Sequence, residues 1–277
     1  MVEPVIGAAI AKVATNAAGE VVNSGLLTRV LGPSADELGE ALKRFTAFRT
    51  RNVGRVVEKA AKKSRPGTDQ DQVHPRVAHR ILDEGSYCDD EIMADYLGGV
   101  LAGSRTPNGR DDRAVAWSEL VTSLSSVQVR AHYLLYSAWA RLLRGRHDLN
   151  LGVNAGRAAA TLDVELTEFA EAVVHDSDLK PDVTLAHTIP GLIRVGLLSD
   201  TYGYGVKDEV APDSKFGLVL RVQPSVAGIE LFGWAMGMPD LTKQEFVDMD
   251  LEVDDSLPGP LSQVLLPRLA DVSEGQG

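Results

Sequence analysis

The chain has 277 residues, 39 of them acidic and 28 basic, and a formal net charge of −11, which excludes a surface that binds nucleic acid over its whole extent. Its single cysteine excludes intramolecular disulfides and cysteine-rich metal sites. No stretch of about 18 uninterrupted apolar residues is present, and Met1-Val2-Glu3-Pro4 lacks a basic leader, so neither a spanning helix nor a secretory signal is expected. The expected location is cytoplasmic, with peripheral membrane contact as a further expectation.

Residues 4–31 are rich in alanine, glycine and small aliphatics. Gly7, Ala11, Ala14 and Ala18 share one helical face, a spacing that admits close helix–helix approach. The segment reads as a soluble helix packed under the next element, with a self-associating or membrane-seeking segment as the functional alternative.

Residues 34–64 carry the strongest helix signal. Ser34 and Glu37 have capping-box spacing, and Asp36 and Glu37 place negative charge where the helix dipole favours it. At 100° per residue, Leu38, Leu42, Phe45, Val53, Val56 and Ala60 fall on one arc, and Arg44, Arg51, Arg55 and Lys62 on a ridge opposite. Arg49 projects into the apolar arc with Asn52 at its edge, so its guanidinium requires a carboxylate, a carbonyl or a bound anion. Residues 43–65 hold nine basic side chains against Glu58 alone, which leaves 19 basic and 38 acidic residues elsewhere.

After a polar linker at residues 66–75, short helices are expected from Val77 to a stop near Gly85, from Asp89-Asp90-Glu91 to Gly103, and around Trp117 to Leu124. Ser126 is expected to cap a firm helix closed by Arg144-Gly145, and residues 157–174 to form one more helix. Residues 184–196 read as a helix despite Pro190. Residues 198–206 and 216–222 read as strands around an exposed polar loop, and Pro224 starts a last helix through Trp234. Residues 245–255 hold six acids interleaved with apolar residues, which reads as a strand with one charged face or a disordered acidic segment, with masking of the basic ridge as a further idea.

Catalytic signatures are lacking. His74 and His79 share no helical face and have no spaced glutamate. His175-Asp176-Ser177-Asp178 reads as a capping loop, and Gly203 and Gly205 as part of a turn. No nucleophile elbow, phosphate loop or dinucleotide fingerprint occurs. No enzyme activity, metal or cofactor is therefore expected. The candidate anion- or partner-binding residues are Arg44, Arg49, Arg51, Asn52, Arg55 and Lys62, facing anionic lipid, nucleic acid or an acidic protein segment.

The segment LGPSADELGEALKRFTAFRTRNVGRVVEKA resembles the signature of the Abi-alpha (abortive-infection alpha) family, with Leu31, Gly32, Pro33, Glu37, Gly39, Phe48, Arg49 and Asn52 at the motif positions. Residues 86–102 are similar to the family's second block, departing from it at Gly98-Gly99, and Leu192, Gly196 and Leu197 match its C-terminal outline. The resemblance spans residues 30–235. It implies a bacterial phage-defence protein, an effector or sensor triggered by a phage or host protein.

The fold expected is mostly α: a helical bundle organised on the long amphipathic helix, with a C-terminal winged-helix-like α+β module. Its expected parts are residues 1–30, 31–178, 183–240 and an acidic tail at 241–277. Of the would-be recognition helix, only Arg194 and His187 offer positive charge, so packing or dimerisation is preferred over DNA reading. A homo-oligomer and an anionic membrane surface are the leading partners, ahead of nucleic acid.

Overall fold

The computed structural model describes residues 35–67, 71–174, 180–251 and 257–270. The expected N-terminal helix, the Ser34 cap, the His175–Asp178 loop and the chain's last residues lie outside the described residues. What is described is mostly helical, with twelve helices, a two-stranded ribbon and a four-stranded antiparallel sheet.

Helix α1 (Ala35–Lys63) is one unbroken rod. A ribbon of β1 (Gln72–Val73) and β2 (Arg105–Thr106) flanks α2 (Pro75–Gly85) and α3 (Glu91–Gly103). Asp90 caps α3, its Oδ1 accepting from the amides of Ile92 and Met93 at 2.9 and 3.3 Å. Every residue of α3 from Ile92 to Val100 is buried, the pattern of a helix apolar all round. Helix α3 is thus enclosed by its neighbours, and α1 is one of the helices packed against it.

Helices α4 (Ala114–Ser123) and α5 (Ser126–Leu142) follow. The cap of α5 is Ser125, in a reciprocal box with Gln128, and the expected cap Ser126 is the first helical residue.

The single helix expected at residues 157–174 is three elements: α6 (Asn154–Ala159), β3 (Leu162–Glu165) and α7 (Leu166–Val173). Then come α8 (Pro181–Arg194), β4 (Leu198–Val206), α9 (Lys207–Val210), β5 (Leu218–Pro224) and α10 (Val226–Ala235). Gly196, at φ 76°, ends α8 in a Schellman arrangement, with the Leu197 amide donating to Leu192 O at 2.8 Å. Helix α11 (Lys243–Phe246), β6 (Val264–Leu265) and α12 (Pro267–Ala270) complete the described chain.

The sheet order is β4-β5-β3-β6. Because β3 pairs with β5, the sheet crosses the boundary expected between residues 178 and 183, and one apolar core runs from Val56 to Leu266. Trp139 Nε1 donates to Ala160 O at 2.8 Å, and Asp163 lies opposite Arg221, contacts that hold the α6–β3 break in place. Phe246, from the segment expected to be an acidic tail, is fully buried. Its burial contributes about 2 kcal/mol, enough to tie α11 to the body.

Candidate functional site

The cationic face of α1 is best described by what each side chain touches. Arg49 donates from Nε to Ser86 Oγ and from Nη2 to Asp83 Oδ1, both at 2.8 Å, and its guanidinium lies 4.4 Å from the centre of the Tyr87 ring. One turn on, Asn52 Nδ2 donates to Ser86 O at 3.0 Å. Arg55 donates to Asp89 O at 2.8 Å, Glu91 Oε1 at 3.0 Å, Cys88 O at 3.2 Å and Asn52 Oδ1 at 2.7 Å. The three residues recur on one helical face and clasp the α2–α3 turn, giving partners to the carbonyl at the C-terminal end of α2 and to those of the turn itself.

Arg49 thus has a carboxylate partner in its own chain, the half-exposed Asp83. The expectation that Arg55 lies on an exposed ridge is corrected, because the turn draws it inward. Arg51 is exposed, and Lys62 is exposed and paired with Glu58 at 3.1 Å. The side chain of Arg44 lies outside the described ones. The acidic segment does not mask α1 where it is described. Glu245 closes a capping box with Thr242, Asp248 faces His147 at 3.4 Å, and Asp250 pairs with Arg144 at 2.7 Å, all near the C-terminal end of α5.

Deeper in, Asp95 on α3 is fully buried against two lysines of α1. Lys63 Nζ pairs with Asp95 Oδ2 and donates to Asp95 O at 3.1 Å and Ala235 O at 2.8 Å, while Lys59 Nζ lies 3.9 Å from Asp95 Oδ1. Gly98 and Gly99 make this crossing possible. A Cβ on Gly98 would lie 2.6 Å from Lys59 Cβ, and one on Gly99 only 1.7 Å from Ala235 O. The missing side chains at Gly98 and Gly99 are what let α1 and α10 meet α3 on two sides.

Behind it stands an aromatic column. Tyr96 Oη lies 2.7 Å from His132 Nδ1, and His132 stacks on Tyr136 with ring centres 4.4 Å apart. Tyr136 Oη donates to Leu197 O at 2.6 Å and accepts from the Ser225 amide at 3.0 Å. Burial keeps His132 neutral, with its pKa lowered to about 3, and raises that of Tyr136. A walled-in imidazole of this kind holds helices together and does not meet a solvent-borne substrate.

The sheet contains a third buried polar centre. Arg221 donates to both oxygens of the fully buried Asp163, at 2.6 and 2.8 Å, and reaches Asp213 at 2.8 Å. That bidentate contact raises the Arg221 pKa, and the Arg221 hydrogen bond lowers that of Asp213.

The β4–β5 hairpin is where apolar surface stays open. Tyr202, Tyr204 and Val206 alternate along β4, and Leu218 stands opposite Val206. All four are exposed, and the two tyrosine rings lie 6.4 Å apart in a stacked orientation. Gly203 and Gly205 belong to the strand and not to a turn. Gly205 has φ 142°, and Val210 of α9 sits over Gly203, where a Cβ would lie 2.7 Å from Val210 Cγ1. The alternation Tyr-Gly-Tyr-Gly-Val, large on one face and absent on the other, is the sequence signal for this surface that a turn reading misses.

Among the described residues no group of three or more His, Cys, Asp or Glu side chains is placed to hold a metal ion, and no helix is long and apolar enough to cross a membrane. In comparisons with known proteins, no family model, no curated protein and no solved structure matches the chain.

Proposed function

We propose that the chain is a non-enzymatic effector or sensor of the abortive-infection type, a phage-defence protein that works by assembly or at a membrane surface. The observation that carries this reading is the contrast between its buried polar groups and its hairpin. Asp95, Asp163 and His132 are spent on internal contacts, whereas Tyr202, Tyr204, Val206 and Leu218 present apolar surface to solvent. The resemblance adds support, since Arg49 and Asn52 of the motif are the residues by which α1 clasps the α2–α3 turn. A motif that holds a scaffold is one that a family sharing the scaffold would keep.

The elements α5, β3, α7, α8, β4 and β5, with β5 between β3 and β4, support a winged-helix-like module that begins before residue 183. Its charge favours protein association over nucleic acid. The outward side of α8 carries Val183, Ala186, His187 and Arg194, and the hairpin connection sets Asp208, Glu209 and Asp213 against Lys207 and Lys215. A DNA reader needs several phosphate-neutralising cations on such a face.

Bacteria expressing the full chain are expected to lose plaque formation because infected cells die before releasing phage. Undiminished plaque counts over a panel of phages, with the protein present, would count against the reading. Co-sedimentation with anionic vesicles, comparing wild type with Arg51→Glu, tests the membrane route. Nucleic-acid retention in a gel shift that falls steeply with salt would favour the alternative, a nucleic-acid-binding regulator that uses the basic helix and the winged-helix-like module.

A further inference from the structure

We propose that the outer edge of β3 is a strand-receiving groove whose occupant, residues 261–266 of the same chain, is exchangeable for an extended peptide of the same pattern on another polypeptide. Such a groove reaches beyond the phage-defence reading, because it gives the fold a receiving site for a polypeptide whatever response follows. The segment is held chiefly by its backbone. Arg141 of α5 donates from Nη2 to Leu261 O. Glu168 of α7 accepts the Ser262 amide and hydroxyl at Oε1, at 2.8 and 2.7 Å, and the Gln263 amide at Oε2, at 2.7 Å. The Glu165 amide donates to Gln263 O at 2.9 Å. Two residue pairs of ladder follow, Val164 with Val264 and Asp163 with Leu265. Contacts of this kind read an extended main chain, and side-chain pockets then supply the specificity. Here Leu261 and Leu266 are buried, while Ser262 and Gln263 between them are exposed. The fitting partner is an extended segment with leucine at its first and sixth positions and polar residues at its second and third.

The receiving wall stands without its occupant. On its other side β3 pairs with β5 over four residue pairs, and Arg221 of β5 holds Asp163 from that side. Helix α7, which carries Glu168, is capped by Glu165, whose Oε2 accepts from the Glu168 amide at 2.7 Å. β6 is the end strand of the sheet, so its departure leaves all these contacts in place, whereas departure of β5 would split the sheet. The cost of ordering a short segment offsets much of what a few hydrogen bonds and two leucines return, so an end strand of this kind opens locally more readily than the body unfolds. Pro258-Gly259-Pro260 leads into the segment and belongs to no helix or strand, so release bends no regular element. The uncovered edge of β3 is then a template for another extended chain.

Titration of a fluorescein-labelled peptide of residues 257–270 with the full chain tests this. In the wild type the chain's own segment competes at high effective concentration, so capture is expected to be weak. Leu261→Ser in the chain weakens that competitor and is expected to raise peptide affinity about tenfold, whereas Glu168→Ala added to it removes the receiving carboxylate and is expected to cancel the gain. The same peptide carrying Leu261→Ser and Leu266→Ser is expected not to bind. Hydrogen exchange of the wild-type chain needs no variant: the Ser262 and Gln263 amides are expected to exchange by local opening, well before those of α5. Exchange of those amides only with global unfolding, or a Leu261→Ser chain that keeps its circular dichroism and gains no peptide, overturns exchangeability. Equal capture of the leucine-free peptide overturns the sequence pattern. A concentration-dependent dimer in place of peptide capture makes a second copy the occupant and overturns the partner named here. None of these outcomes bears on plaque formation, which decides the phage-defence reading separately.

Discussion

Two regions of the molecule use glycine to bring elements unusually close, and they end differently. At the crossing of α1, α3 and α10, Gly98 admits one helix and Gly99 the other, so α3 is sealed on two sides. Its polar groups, Asp95 above all, can then serve only their neighbours. At the hairpin, Gly203 and Gly205 admit Val210 to one face of β4, and the other face keeps Tyr202 and Tyr204 at 42% and 37% exposure. An element sealed on both sides stabilises the fold, and one sealed on a single side retains a surface that a partner can use.

The sharpest way to break this contrast is to unpair the sealed region. Asp95→Ala leaves Lys63 and Lys59 facing each other without their carboxylate, and removal of one member of a buried pair costs about 3–5 kcal/mol. Denaturant unfolding is expected to show this as a large fall in midpoint. Replacement of the pair by apolar residues of similar volume, Asp95→Leu with Lys63→Met, should recover much of the loss, whereas a catalytic or ligand-binding Asp95 would predict no recovery of function. Gly99→Ala comes next. A methyl group 1.7 Å from Ala235 O forces α10 off α3, and such overpacking costs about 3 kcal/mol. A variant as stable as wild type would show that the crossing is looser than its geometry.

The aromatic column adds a pH dependence. His132 has its folded pKa lowered to about 3 by burial, against an ordinary value of 6.5. Between those values the unfolded chain binds a proton that the folded chain refuses, so stability is complete above pH 6.5 and declines as pH falls toward 3. One pKa unit corresponds to about 1.4 kcal/mol, which makes the loss at pH 5 roughly 2 kcal/mol. Carboxylates held low, Glu168 and Asp213 among them, add to the decline only within and below the ordinary carboxylate range. His132→Phe should therefore flatten the midpoint between pH 6.5 and 5, and an unchanged slope would assign the effect elsewhere.

Much of this architecture is legible in the residues, and the exceptions have physical reasons. The length of α1 follows from its apolar period and the Pro66-Gly67 stop, and the bounds of β4 from its alternation. The break at β3 does not follow, because Leu162, Leu166, Phe169 and Val173 keep helical spacing. What decides it is pairing with β5 and the Asp163–Arg221 contact, 58 residues apart in the chain. Arg55 projects onto the same ridge as Arg51, yet a helical projection cannot show that the α2–α3 turn gathers free carbonyls within reach of a guanidinium. The all-round burial of α3 is hidden for a related reason. Its two glycines look like weakness in a helix until the helices that need their space are known.

Within β4 the comparison narrows to neighbouring residues. Gly203→Ala presses a methyl group on Val210, a side chain of a four-residue helix that can shift, so a cost of about 1 kcal/mol is expected. Tyr204→Lys, on the opposite face, removes a ring that is more than a third exposed and makes no hydrogen bond among those described. A lysine stem can lie along the strand opposite Leu220 while its ammonium reaches water, so the folded monomer should change by no more than about 0.5 kcal/mol. Measured at concentrations too low for association, a near-neutral Tyr204→Lys beside a destabilised Gly203→Ala is the expected pair of results. A large loss at Tyr204 would mean that this face belongs to the interior, and the division between a sealed and an open side of the strand would fail.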